Sequence, residues 1–312
     1  MEHYAHALSG LTASVALGTY AWHQPLPVLA TGAALAAGAA VLPDLDTRGS
    51  CVARSFGGIS EGLAWVVHRI SGGHREYTHT GVGDVLCAAL AAGAIAAEPF
   101  YVRWHLRILG RVVPFAVSPG RIILAIYLAL LLGAGLSALN LIRRNHRREL
   151  LAIVAAVIMA WTGWDTGGIA WAILLGTFAH ALGDGLTKHG LAWGRPFTRH
   201  VFHLLPEGFR ISTGHWQERA VVTPLLLAVL GFLVWHDTGA TAFATHLHTE
   251  LTARSTPSSF ARGDCRLQAA GESRPPRSSF RVMQTVRVWW SAGIAGFLVS
   301  LIHETNHCRP AR

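Results

Sequence analysis

From Ile122 to Ile142 the chain carries no charged residue. A helix needs about 20 consecutive apolar residues to cross the hydrocarbon of a bilayer, so this run is long enough to span one. A helix also satisfies its own backbone polar groups where no water is present to do so. Six further apolar segments are shorter or richer in Ala and Gly: Leu8–Trp22, Val28–Leu42, Val85–Phe100, Leu150–Trp161, Ile169–Leu182 and Val221–Trp235. Small residues allow helices to approach closely in lipid. Gly32, Ala36 and Ala40, four residues apart, form such a stripe on the second segment.

Composition points the same way. The chain is 51% hydrophobic and 14% charged, with mean hydropathy +0.36, whereas soluble domains carry about 25% charged residues. The expected fold class is an all-α polytopic membrane bundle of about seven segments, some of them short. The competing reading is a soluble all-α protein with buried helices. The formal net charge of +9 suits anionic lipid or nucleic acid. Because the basic residues lie between apolar segments, lipid is the favoured partner and nucleic acid is disfavoured. Cys51, Cys87, Cys265 and Cys308 form no CxxC, and Cys87 lies in an apolar run, so neither a disulfide framework nor a cysteine zinc site is implied. The start, Met1-Glu2-His3-Tyr4-Ala5-His6, lacks the basic region of a signal peptide.

Three regions follow. Residues 1–236 read as a membrane-embedded domain. Residues 237–285, rich in Arg, Ser and Pro, read as a disordered linker. Residues 286–312 hold a possible extra membrane segment and a tail, with Trp289-Trp290 suited to an interface.

Against this apolar background, metal-ligand residue types gather in short motifs at segment edges. Of the seven aspartates, Asp44, Asp46 and Asp184 fall in them. His180 and Asp184 are four residues apart, which puts both side chains on one helix face. Imidazole with carboxylate suits zinc or another first-row divalent ion, although HxxxD alone is common as a hydrogen-bonded pair at a helix end. Pro43-Asp44-Leu45-Asp46 follows an apolar helix that the proline helps to end. Its two carboxylates can share metal ions, or one can bind while Asp46 serves as base; otherwise they are solvated turn residues. Gly73-His74-Arg75-Glu76-Tyr77-Thr78-His79-Thr80 precedes the next apolar segment. There His74 and His79 are candidate ligands, Arg75 can hold an anionic oxygen bidentately, Glu76 is a candidate base, and Thr78 or Thr80 can cap the helix. His6 is the weakest signal, and His189 is a candidate extra ligand. The stretch between Asp46 and His74 leaves room for an interfacial helix.

Counting passes sharpens the pattern. If His6 lies on one side, two passes return the chain to that side at Asp44, two more at Arg143, and a short pair at His180 and Asp184. Seven passes therefore place every candidate ligand on one face. That face also carries most of the arginines of the loops, which marks it as cytoplasmic.

The ordered set of an N-terminal His6, then Asp44 and Asp46 in PDLD, then His74-Arg75 with Thr78-His79, then His180 with Asp184, Thr187 and Gly190 resembles the YdjM-type inner-membrane metal-dependent hydrolases. The resemblance runs over about residues 3–235. It is more distantly similar to the all-α zinc phospholipase C and single-strand nuclease group, which implies a zinc cluster held by His and Asp and hydrolysis of phosphate esters or phosphodiesters. The function expected is a metal-dependent hydrolase in the cell inner membrane, acting at the cytoplasmic face on a small-molecule or lipid ester. The expected metal ligands are His6, Asp44, His74, His79, His180 and Asp184, with Asp46, Glu76 and Arg75 as catalytic residues and a divalent ion, zinc favoured, as cofactor. The rival functions are a transporter using the same polar groups and a non-catalytic membrane protein with a structural metal.

Overall fold

The computed structural model describes residues 1–108, 111–142, 146–163 and 166–238. Of the described residues, those up to Val234 belong to one compact unit. The expected linker and terminal segment beyond Thr238 lie outside the described residues. Eight helices are described: α1 (His3–Tyr20), α2 (Leu26–Ala39), α3 (Gly58–Ile70), α4 (Gly81–Ala96), α5 (Pro119–Ala138), α6 (His146–Thr162), α7 (Thr166–Gly185) and α8 (Thr223–Thr238). All seven apolar segments of the sequence fall in helices, and α3 lies in the stretch between Asp46 and His74 that left room for one more.

The all-helical expectation needs one correction. An antiparallel pair, β1 (Val102–Ile108) and β2 (Arg111–Val117), joins α4 to α5. The sequence carries its signature: Val102, Trp104, Leu106 and Ile108 alternate with Arg103, His105 and Arg107, the period-2 pattern of a strand.

Among the described residues, three stretches are long and apolar enough to cross a membrane: Leu26–Asp46, Pro119–Ala138 and Glu218–His236. Gly81–Ala96 is apolar but shorter. Large apolar side chains face outward on these elements, among them Val85, Leu86 and Leu90 on α4, Ile122 and Ile126 on α5, and Leu225 and Phe232 on α8. A soluble monomer rarely exposes apolar surface on this scale, whereas a lipid-facing bundle requires it.

The centre of the unit is α2, which packs against α1, α5 and α7. The small residues make that possible. A Cβ at Gly10 of α1 or at Gly176 of α7 would run into the Ala36 carbonyl, and one at Gly38 would meet the backbone of Leu131 in α5. Leu35, Leu124, Leu128, Leu131 and Ile173 fill the surrounding core and are fully buried. Leu230 and Leu233 of α8 close a smaller cluster with Leu8, Val15 and Ala33.

Helix ends then fix where the motifs emerge. α2 gives way to a tight 3-10 turn at Pro43–Asp46, where proline's missing N–H and fixed φ favour a change of path. Thr80, and not Thr78, caps α4: its hydroxyl accepts from Gly83 N at 3.1 Å and donates to the Tyr77 carbonyl at 2.8 Å. Thr187 Oγ1 donates to the Asp184 carbonyl at 2.8 Å where α7 ends.

Candidate metal centre

The short motifs converge at one end of the bundle. The end of α2 delivers Asp44, the 3-10 turn at Tyr77–His79 delivers His79, and the last turns of α7 deliver His180 and Asp184. His79 Nε2 lies 3.5 Å from Asp44 Oδ1 and 3.9 Å from Asp184 Oδ2. His180 Nε2 lies 4.0 Å from Asp44 Oδ1 and 3.6 Å from Asp184 Oδ2. Four donor atoms thus form a ring whose edges suit a small ion. Ligands at about 2.0–2.2 Å from a tetrahedral zinc stand about 3.3–3.6 Å from one another.

The hydrogen bonds around the ring fit the same reading. His79 Nε2 and His180 Nε2 are buried and have no hydrogen-bond partner, an unusual and costly state for a buried polar atom. The other nitrogen of each ring is engaged. His180 Nδ1 donates to the Ala40 carbonyl at 2.7 Å. His79 Nδ1 lies 3.0 Å from Thr78 Oγ1, which itself donates to Asp46 Oδ2 at 2.6 Å. Outer partners of this kind fix the tautomer and direct the Nε2 lone pair inward.

Asp46 faces away from the ring and is fully buried. Its oxygens accept from Thr47 Oγ1 at 3.0 Å, Thr78 Oγ1 at 2.6 Å and Arg75 N at 3.0 Å, and His74 Nδ1 lies 2.7 Å away. The Asp46 carbonyl is itself held by His68 Nδ1 at 2.8 Å. Asp44 is the more open carboxylate, with its side chain 24% exposed, and it marks the accessible edge of the ring. His74 groups with Asp44 and His79. His6 groups with His180 and Asp184 and stacks on His180, ring centroids 3.9 Å apart. Gly183 makes room for that stack, since a Cβ there would press on the His6 ring.

Asp184 Oδ1, on the far side from the ring, lies 3.3 Å from the Met1 amino group, 3.5 Å from His6 Nε2 and 3.6 Å from an Arg75 terminal nitrogen. Arg75 adopts φ +64°, a left-handed conformation uncommon outside glycine, and its Nε is buried without a partner. Burial by itself would lower the pKa of His79. The nearby carboxylates of Asp44, Asp46 and Asp184 outweigh it and push the value up to about 9.

Six sequence-predicted residues therefore come together as candidate ligands, and Arg75 and Asp46 adjoin them. Glu76 does not join: its carboxylate pairs with Arg195, and no ion pair ties it to the cluster among the described residues. His189 is exposed and stands outside both groups. Sequence reasoning missed the supports. Glu218, fully buried, accepts from Glu2 N at 2.5 Å and Gly214 N at 2.9 Å, tying the start of α1, and so His6, to the loop after α7. Its signal was an isolated acid in a basic loop, which spacing cannot assign. The Ala40 carbonyl carries no signal at all.

A family model described as YdjM inner membrane protein matches residues 1–249. No curated protein and no solved structure matches the chain.

Proposed function

The chain belongs to the YdjM inner membrane protein family, and on that premise we propose that it is a membrane-bound, metal-dependent hydrolase of phosphate esters or phosphodiesters. The observation that carries the metal is the ring of His79, His180, Asp44 and Asp184 with its two unpartnered Nε2 atoms. Two imidazoles and two carboxylates suit zinc better than a hard cation such as magnesium or calcium. A divalent ion held there supplies a water of lowered pKa and polarises a phosphoryl oxygen.

The protein's own groups have assignable tasks. Asp46, with both oxygens engaged, orients His74 and His79. Asp44, at the accessible edge, faces incoming water. Arg75 presents an unpaired guanidinium nitrogen beside Asp184 and can hold a substrate anion. Glu76 is placed as a loop anchor and is a poor base. Seven passes would set every ligand at the cytoplasmic face, where a lipid headgroup phosphate is the nearest abundant ester.

One observation favours a second reading, a structural metal. Four protein donors would be enough to fill the shell of a structural zinc, whereas catalytic zinc keeps a position for water. The exposed edge at Asp44 and the surplus donors His6 and His74 weigh toward catalysis. A transporter would place its groups near the bilayer midplane, whereas these lie at segment ends.

Purified protein should hold a first-row divalent ion, and His180→Ala or His79→Ala should release most of it. Retention of full metal in both variants would remove the site. A screen of phosphomonoesters and phosphodiesters should reveal turnover that is lost on chelation and in Asp184→Asn. Metal that stabilises the fold with no turnover on any ester would favour the structural reading.

A further inference from the structure

We propose that α3 is an in-plane membrane helix that docks the ligand end of the bundle on an anionic lipid surface. Ile59, Leu63, Val66 and Ile70 are 84%, 40%, 41% and 78% exposed. Their spacing of four, three and four places them in one narrow stripe. Two other faces complete the helix. Ser60 and Ala64 are buried and Val67 packs on the core, while Gly58, Glu61, Gly62 and Arg69 form a polar edge. A helix with one face on protein, one apolar face open and one polar edge fits the boundary between headgroups and acyl chains.

Its place in the chain says what covers the open face. α3 lies between Leu26–Asp46, a membrane-capable stretch, and the apolar α4, so both connections leave it at the end of a membrane segment. At 13 residues it is about 20 Å long and too short to cross. His68 of the same helix bonds the Asp46 carbonyl at 2.8 Å, which holds α3 at the level where that stretch ends. Arg48, Arg54 and Arg69 outnumber Glu61 around it, and each exposed arginine near an anionic surface contributes about 1 kcal/mol. Trp65, half exposed, adjoins the polar edge as interfacial tryptophans do. A second copy of the chain would not call for this basic rim.

The inference is independent of the hydrolase reading, because its test reads depth and not turnover. Spin labels would be placed at Ile59→Cys, Ile70→Cys and, for comparison, Glu61→Cys, in full-length protein with the native cysteines replaced. The protein would be reconstituted in vesicles of phosphatidylglycerol and phosphatidylethanolamine. Labels at positions 59 and 70 should collide with oxygen and exclude a water-soluble nickel chelate, at a depth of about 5–10 Å, and the label at 61 should do the reverse. Nickel access at 59 and 70 equal to that at 61 would overturn the proposal. So would spin–spin broadening at 59 that vanishes on dilution with unlabelled protein, which would assign the face to a second copy. An independent check keeps the native cysteines: Trp65→Phe should remove a share of the tryptophan quenching by lipids brominated near the headgroup, and unchanged quenching would also overturn it.

Discussion

The two ring nitrogens of His79 face different partners, and the difference has a measurable consequence. Nδ1 is held through Thr78 and Asp46, while Nε2 meets Asp44 and Asp184 with no hydrogen bond. Without metal, the proton on this ring is stabilised, with the pKa raised from 6.5 to about 9. A raised pKa stabilises the metal-free fold fully below about 6.5, and that contribution disappears as pH rises through about 9. A metal must displace that proton. Its affinity, measured by chelator competition, should therefore strengthen by about tenfold per pH unit up to about 9 and then level; a flat profile across this range would contradict the assignment. Asp46→Asn or Thr78→Val should weaken metal affinity about 10- to 100-fold without abolishing it, as loss of an outer partner does. The sequence reading had Asp44 as ligand and Asp46 as base, and that Asp46 instead contacts the histidines was not legible in it. Two residues apart in a turn of three residues per turn, they point about 120° apart, and only the fold says which direction holds the histidines.

At the scale of elements, apolar runs and small residues were informative because helix packing in lipid depends on them directly. The stripe of Gly32, Ala36 and Ala40 was visible, and Ala36 is where α1 and α7 approach α2 most closely. The glycines on the facing helices, Gly10 and Gly176, were not singled out, since a glycine's need for space depends on a neighbour distant in sequence. Gly176→Ala would drive a Cβ into the Ala36 carbonyl and the Ala39 methyl, and neither can turn aside. Overpacking of this kind costs about 1–3 kcal/mol. Because α7 carries His180 and Asp184, the variant should lower both the unfolding midpoint in detergent and metal affinity. Gly93→Ala, where nothing lies within 4 Å, should leave both unchanged, and equal losses in the two variants would show that the effect is not packing. The β1–β2 hairpin had a readable alternation that the search for apolar runs passed over. α3 was less legible, because its stripe is recognisable only once its other faces are known to be occupied.

For the whole molecule, the distribution of charge would decide which compartment the candidate metal centre faces on the proposed seven-pass topology. On that topology the loops of the ligand side would carry Arg48, Arg54, Arg69, Arg75, Lys188, Arg195, Arg199, Arg210 and Arg219, against Arg103, Arg107, Arg111 and Arg121 on the other. The arginine-rich side of a membrane protein stays in the cytoplasm. If the helices cross a membrane, the number of passes between Asp44 and His180 must be even, because the fold places the two 4.0 Å apart, and four passes by α4 to α7 would meet that condition. The convergence of the ligands thus adds a parity condition to hydropathy, by which three stretches among the described residues qualify on length. Glu61, Thr198 and His105 are exposed, and the seven-pass proposal puts the first two on the ligand side and His105 opposite. In a background lacking the native cysteines, Glu61→Cys and Thr198→Cys should resist a membrane-impermeant thiol reagent in intact cells and react after lysis. His105→Cys should react in intact cells. Reversal at all three positions would turn the molecule over while leaving the site intact. Protection at only one of positions 61 and 198 would break the parity, and the pass between them would then have to be removed or replaced by a segment that enters and leaves on one side.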